Sequence, residues 1–379
     1  MAAQLEQYAG REQSFIKHVF LTEYLRAAAY KTLQARSGTF NFVDAFAGPW
    51  RVSDNKEYSD ASFHQALKTL DAVRTDLGGK VSRELKIRFC FCEKKKSSYD
   101  RLLEYAARQN KLQIHLFHGL FEDNLDKIAA KCSNGFTFTF IDPKGWNIRS
   151  GPILKFLRVL NGEFLLNFMA ESVNRHAEYS SVAESFGRFL ADPHWDADFR
   201  GLPTEWSNEH RVLHLLKRKI KSSKAATYLP DFPILAPLQQ RTKMRLLLGT
   251  HSAKGLEVFR DVQGKVERRE METRTELRGR DTNQISFFAP EEIAALQQMN
   301  WGVGSTEYQR EATNRIIKTL QNCKSISFRE ISIDVLEHVP IRLTQIKTLL
   351  NNMRNQGLVS FDLPARKRVP EPSTRISIA

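Results

Sequence analysis

The segment Phe40-Asn41-Phe42-Val43-Asp44-Ala45-Phe46-Ala47-Gly48-Pro49-Trp50 constrains the fold more than any other. Phe40 to Val43 is short and β-prone, which reads as a buried strand of a parallel sheet. Asp44 stands at its carboxyl end, and a turn of small residues follows. In an open α/β sheet, ligands bind beyond the carboxyl ends of the strands, where strand order reverses. Small residues let backbone approach a ligand, and a carboxylate accepts its hydrogen bonds.

Two later segments end the same way. Leu85 to Cys92 reads as a second strand closed by Glu93, and an acid in that place holds ribose hydroxyls in adenosine-type cofactors. Phe136 to Ile141 reads as another strand, closed by Asp142-Pro143-Lys144-Gly145-Trp146. The three strand ends together form a constellation stronger than any one of them. Taken singly, each acid can equally be an ordinary loop cap.

The residues resemble a known family. Asp44 to Pro49 is similar to the first motif of class I S-adenosylmethionine-dependent methyltransferases. More narrowly, the chain resembles the bacterial three-Cys-motif partner proteins. Supporting pieces are Lys17-His18 with Tyr24-Leu25, Ile141-Asp142-Pro143, Asn167-Phe168 with Asn174-Arg175, and Thr250-His251 with Lys254-Gly255. The likeness runs from about Lys17 into the C-terminal region. It implies an α/β fold: a Rossmann-like class I methyltransferase sheet plus a C-terminal winged helix-turn-helix domain. It implies S-adenosylmethionine as cofactor, bound by Asp44, Phe46, Ala47, Gly48, Pro49, Glu93, Gly119, Leu120 and Phe121. The family often has an acid where Leu120 stands; either Glu122 or Asp123 replaces it or backbone groups do its work, and both acids also suit a helix N-terminus. Trp50 stands where methyltransferases usually carry another Gly, and it either crowds the methionine moiety or stacks on substrate. The family name implies a protein partner with a three-cysteine motif, of the radical S-adenosylmethionine type.

Asp142-Pro143 occupies the place of the Asp-Pro-Pro-aromatic motif of DNA amino-methyltransferases. That chemistry needs an acceptor for an exocyclic N–H and an aromatic platform for a flipped base. Asp142 and Pro143, with Asn167 near the end of a further strand over Gly162 to Met169, are the candidate catalytic residues. Trp146 is the candidate platform, but Lys144 and Gly145 replace the second Pro and its aromatic neighbour. Lys144 and Arg175 are candidate substrate contacts, Arg175 as a bidentate anion holder or a plain surface residue.

The remaining pattern fills in the domain. Ser14 to Arg36 has helical apolar spacing, with Lys17 read as a solvated residue on that helix. Ser53 to Ser62 reads as a polar insertion and Asp192 to Trp206 as a loop. His210 to Lys224 is a basic helix, either a solvated face or a phosphate-tracking one. Helix Gly255 to Gly264 closes the core, and Glu267 to Asn283 reads as a solvated helix or linker. The expected domains are 1–283, a linker 284–305, and a winged helix over 306–379.

In the last domain, Ser327 to Glu330 fits a capping box. Its third helix, Thr344 to Gln356, carries Lys347 and Arg354 as groove-facing candidates, with Arg342 just ahead of it, and Arg366, Lys367 and Arg368 start a wing. Residues 307–379 hold 12 basic and 7 acidic side chains.

The whole chain carries a net charge of +14 with an isoelectric point near 9.6, which favours a polyanion such as nucleic acid as partner. No apolar run reaches the ~18 residues of a membrane span, and the N-terminus lacks a signal-peptide layout, so a cytoplasmic location is expected. Four cysteines without a CxxC pair give no metal set. The sequence therefore points to a methyltransferase acting on nucleic acid or a nucleotide-type substrate. A non-catalytic nucleic-acid- or partner-binding protein on a degenerate methyltransferase fold stands beside it.

Overall fold

The structure, a computed structural model, describes residues 5–35, 38–48, 52–53, 57–176, 182–282, 292–293, 297, 299–300, 302–363 and 367–379. The chain divides into two compact units, Met1–His251 and Ser252–Ala379.

The first unit alternates strand and helix. Helix α1 spans Glu12–Gln34, β1 Thr39–Asp44, α2 Ser62–Gly78, β2 Lys86–Glu93, α3 Lys96–Ala107 and β3 Gln113–His118. There follow α4 Leu125–Lys131, β4 Phe136–Ile141, α5 Ser150–Val159, β5 Gly162–Phe168 and α6 Ala170–His176. The unit ends with α7 Ala183–Leu190, α8 Trp195–Arg200, α9 Asn208–Ser222, β6 Asp231–Leu235 and β7 Thr242–Gly249.

The strands form one sheet in the order β3-β2-β1-β4-β5-β7-β6. The first five are parallel, and β7 lies antiparallel between β5 and β6. This is the Rossmann-like methyltransferase arrangement expected from the sequence. Chain order reverses at β1, which lies between β2 and β4, so a crevice opens there at the carboxyl edge.

Strand periodicity assigns the two faces. Alternate side chains point to opposite sides, so Phe40, Phe42 and Asp44 share a face with Phe89, Phe91 and Glu93. Register sets Asp44 opposite Phe91 on β2 and Phe140 on β4. This face is an aromatic layer. Phe42 lies 6.4 Å from Phe138, and α1 and α2 cover them through Tyr24, 5.6 Å from Phe138, and Phe63, 5.9 Å from Phe91. Each fully buried Phe contributes about 1.5–3 kcal/mol. The opposite face buries Val43, Cys90, Cys92, Ile141, Phe164, Leu166 and Phe168 in one cluster with α4, α5, α7, α8 and α9. Helix α8 stands inside the segment read as a loop, because Trp195 and Phe199, one turn apart, are both buried.

At the far edge of the sheet, Glu163 at the start of β5 accepts from Tyr24 Oη at 2.8 Å and from Thr250 Oγ1 at 2.6 Å. Gly249 ends β7 directly across from Phe164, whose ring occupies the space a Cβ there would need.

The second unit opens with helix Ala253–Thr282. The sequence reading gave this stretch to the first domain and made its later half solvated. Instead Phe259, Arg260, Gln263, Val266, Glu267, Glu270 and Thr273 recur at helical spacing and are buried. Arg260 Nε and Nη2 donate to the carbonyls of Leu336 and Glu337 at 2.8 and 3.0 Å. These carbonyls end helix Phe328–His338 and have no partner within it. Around this lie helix Thr306–Gln321, strand Ile326–Ser327, helix Leu343–Asn355 and strands Val359–Ser360 and Arg375–Ile378. The last strand is central and antiparallel to the other two. Among the described residues no helix is long and apolar enough to cross a membrane.

Candidate cofactor and substrate site

The parity that buries the aromatic layer also places the polar residues. One step past Phe42, Phe91 and Phe140 come Asp44, Glu93 and Asp142, all on the side covered by α1 and α2. Asn167 stands at the same level on β5. A cavity of about 480 Å³ opens over this edge, lined by Arg11, Lys17, His18, Asp60, Asp142 and Asn167 among others.

Asp142 is held from two sides. Lys17 Nζ donates to its Oδ2, and Asn167 Nδ2 donates to its Oδ1 at 2.6 Å. Burial alone would raise the Asp142 carboxyl; the Lys17 ammonium and the two hydrogen bonds outweigh it and hold it below the ordinary value. Asp142 is therefore a charged acceptor at neutral pH. Lys17, read from sequence as solvated, is 7% exposed. Beside it His18 is buried, with Nδ1 at 2.9 Å from Tyr8 Oη. Burial, then the Lys17 charge, lowers its pKa to about 3, so it is neutral.

Asp44 is wholly buried, and both its oxygens are engaged. Oδ1 accepts from the Phe46 N–H at 3.0 Å and Oδ2 from Ser62 Oγ at 2.7 Å. Burial pushes its pKa up to about 7. It ties the β1 turn to the start of α2. Ala47 N–H donates to Cys92 O at 2.9 Å, and Gly48 lines the cavity. Pro49 and Trp50 lie outside the described residues.

Toward β2 and β3, Glu93 is buried and raised by that burial, and its Oε1 accepts from the Lys95 N–H at 2.6 Å. Gly119, at φ 118°, donates its N–H to Glu93 O at 3.0 Å and bends the chain back toward this edge. Leu120 is exposed, and its carbonyl accepts from Asn124 Nδ2 at 2.9 Å. Phe121 is buried edge-on to Phe156. Glu122 accepts from the Arg149 N–H, and Asp123 pairs with the Arg149 side chain.

Pro143 and the exposed Lys144 line the cavity. Trp146 has one face stacked on Phe186 at 4.7 Å and donates Nε1–H to Ser185 Oγ at 2.9 Å, so core packing holds the ring. Arg175 is exposed on α6 and is not among the cavity-lining residues.

Two residues that line this cavity each carry a buried acceptor that is left over. Among the described residues, Asp60 Oδ1 and Asn167 Oδ1 have no hydrogen-bond partner, although both residues are 2% exposed. Orphaned buried acceptors are costly and call for a donor. They fit a ligand rich in N–H or O–H groups, as S-adenosylmethionine is. Asp60, Arg11 and Ser62 belong to no motif. The only sequence signal was a serine just ahead of a helical run.

No family model matches the chain, and no curated protein matches it. Among solved structures, protein LPL1258 of Legionella pneumophila, of family DUF519, matches over 62% of this chain and 84% of its own. Its identity is 11% and its TM-score 0.35. Loganic acid methyltransferase with SAH matches over 80% of this chain and 92% of its own, at 10% identity and a TM-score of 0.33.

In the second unit, Arg342 was expected to face a nucleic-acid groove. Its guanidinium lies against Gly264, and its Nε is buried without a partner among the described residues. Lys347 lies over the Phe328 ring and Arg354 over Phe361, at 5.8 and 5.1 Å. Lys367 pairs with Glu371, and the Arg368 carbonyl accepts from Asn351 Nδ2. Arg366 lies outside the described residues. Among the described residues no group of three or more His, Cys, Asp or Glu suits a metal ion. The thiols are free, with Cys90 and Cys132 sulfurs 4.0 Å apart.

Proposed function

We propose that this chain is an S-adenosylmethionine-dependent methyltransferase acting on nucleic acid or a nucleotide-type substrate. The observation that carries the reading is the convergence of Asp44, Glu93 and Asp142 at the carboxyl ends of β1, β2 and β4, beside a cavity with orphaned acceptors. Glu93 receives the ribose hydroxyls, and the turns at 45–48 and 119–121 flank the remainder of the cofactor. The bound cofactor supplies an activated methyl group. The protein's part is to orient the nucleophile and exclude water. Asp142 accepts a hydrogen bond from the nucleophile, Lys17 and Asn167 fix that carboxylate, and Pro143 and Lys144 border the entrance.

The element order of residues 306–378, helix, strand, two helices and two strands, supports a winged helix. Nucleic-acid contact through Lys347, Arg354, Lys367 and Arg368, membership of the three-Cys-motif partner proteins, a partner of that kind, and a cytoplasmic location belong to the same proposal. One observation favours the non-catalytic alternative: exposed Leu120 stands where the resembled family places an acid.

Incubation with methyl-labelled S-adenosylmethionine and total cellular nucleic acid tests the proposal. Transfer by the wild type that is lost in Asp142→Ala supports it. No transfer, together with retained nucleic-acid binding, favours the alternative.

A further inference from the structure

Family likeness places the acid that closes β1, Asp44, among the residues that bind the cofactor, by its methionine end. The geometry of this chain points elsewhere. Asp44 is wholly buried, and each of its oxygens already accepts a hydrogen bond, one from Phe46 N and one from Ser62 Oγ. Asp44 is not among the residues that line the cavity, so a ligand there meets the turn that Asp44 shapes, at Phe46 and Gly48, and not its carboxylate.

Asp60 is built differently. Its Oδ2 accepts from Arg11 Nη2 and, at 3.0 Å, from Ser53 N–H. Its Oδ1 has no partner among the described residues, its side chain has no solvent exposure, and the residue lines the cavity. A carboxylate that is locked on one oxygen and empty on the other is preorganised for a single donor, and a cationic donor gains most. Asp60 lies two residues before Ser62, hence beside the β1 turn. The ribose hydroxyls are taken by Glu93 on β2, and the reacting end lies at Asp142 beyond β4. The donor left for the β1 side is the α-ammonium.

We propose that Asp60, and not Asp44, receives the α-ammonium of the cofactor, while Asp44 is a positioning residue for the turn. This rests on the cofactor reading given above, and it names a contact that the sequence motif does not supply.

The test is calorimetric titration of the full chain with S-adenosylhomocysteine, its des-amino analogue and 5′-methylthioadenosine, which lacks the amino-acid end. The wild type is expected to prefer S-adenosylhomocysteine over the des-amino analogue by about tenfold or more, as a charged hydrogen bond implies. Asp60→Asn is expected to lose most of that preference and to bind the des-amino analogue and 5′-methylthioadenosine as the wild type does. Asp44→Asn is expected to keep the preference. A preference unchanged in Asp60→Asn, or lost in Asp44→Asn alone, overturns the assignment. So does a wild type that binds all three ligands alike, an outcome that leaves the cofactor reading intact and needs no variant to fold. A wild type that binds none of them overturns the cofactor reading and this assignment together.

Discussion

Lys17 and Asp142 stand 125 residues apart in sequence and form one ion pair at the end of β4, with side chains only 9% and 21% exposed. A pair this far from water is sensitive to the loss of one partner, because the other is left as an uncompensated charge. Lys17→Met is expected to destabilise the protein by about 3–5 kcal/mol, and adding Asp142→Asn should recover part of it. Denaturant unfolding of the four proteins in this cycle measures the coupling. Strictly additive effects would mean that the pair is not formed in solution.

Asp44 makes stability depend on pH in the opposite sense from a typical surface carboxylate. Its folded pKa of about 7 lies above the ordinary 3.8. The folded state holds this proton longer than the unfolded chain does, so the contribution is present in acid and lost as pH rises toward 7. The loss is on the order of 4 kcal/mol, from roughly three units at 1.36 kcal/mol each. Asp44→Asn keeps a neutral hydrogen-bonding group there. It is expected to flatten this part of the stability profile, read by urea unfolding at about pH 4.5 and pH 8. An unchanged slope would show that Asp44 is ionised throughout.

Gly249 is where β7 lets the Phe164 ring through. Gly249→Ala is expected to cost about 1–3 kcal/mol by overpacking, and Phe164→Leu in the same chain should relieve some of it. Thermal unfolding checks both; a neutral single variant would mean that the ring has room to turn away.

Ser327 and Glu330 form a reciprocal capping box at the start of helix Phe328–His338. Ser327→Ala is expected to remove about 1 kcal/mol, visible as a lower unfolding midpoint. An unchanged midpoint would assign the cap to other donors.

Much of the sheet was legible because strand ends in this fold are marked by residue type. Apolar Phe40 to Val43, Leu85 to Cys92 and Phe136 to Ile141 announce buried strands, and the acid after each marks its carboxyl end. Local capping chemistry gave the Ser327 helix as well. Lys17 was misread because its partner is distant in sequence and no helical pattern reveals an ion pair made across a fold. Asp60 was passed over for the same reason: it sits in a polar stretch, and its significance comes from an oxygen left without a donor. The face of Glu267 and Glu270 was read as solvated because charge in sequence says nothing of partners such as Gln263 and the Val303 N–H, which satisfy Glu267 inside the unit.

Helix α1 meets the sheet at both edges. Lys17 reaches Asp142 at one, and Tyr24, seven residues on, reaches Glu163 at the other. Seven residues of helix span about 10.5 Å. The helix thus acts as a spacer bar cut to the depth of the sheet, and the height of the Lys17 ammonium over the crevice is gauged from the opposite rim. A substitution at Glu163, remote from any ligand, would reset that gauge.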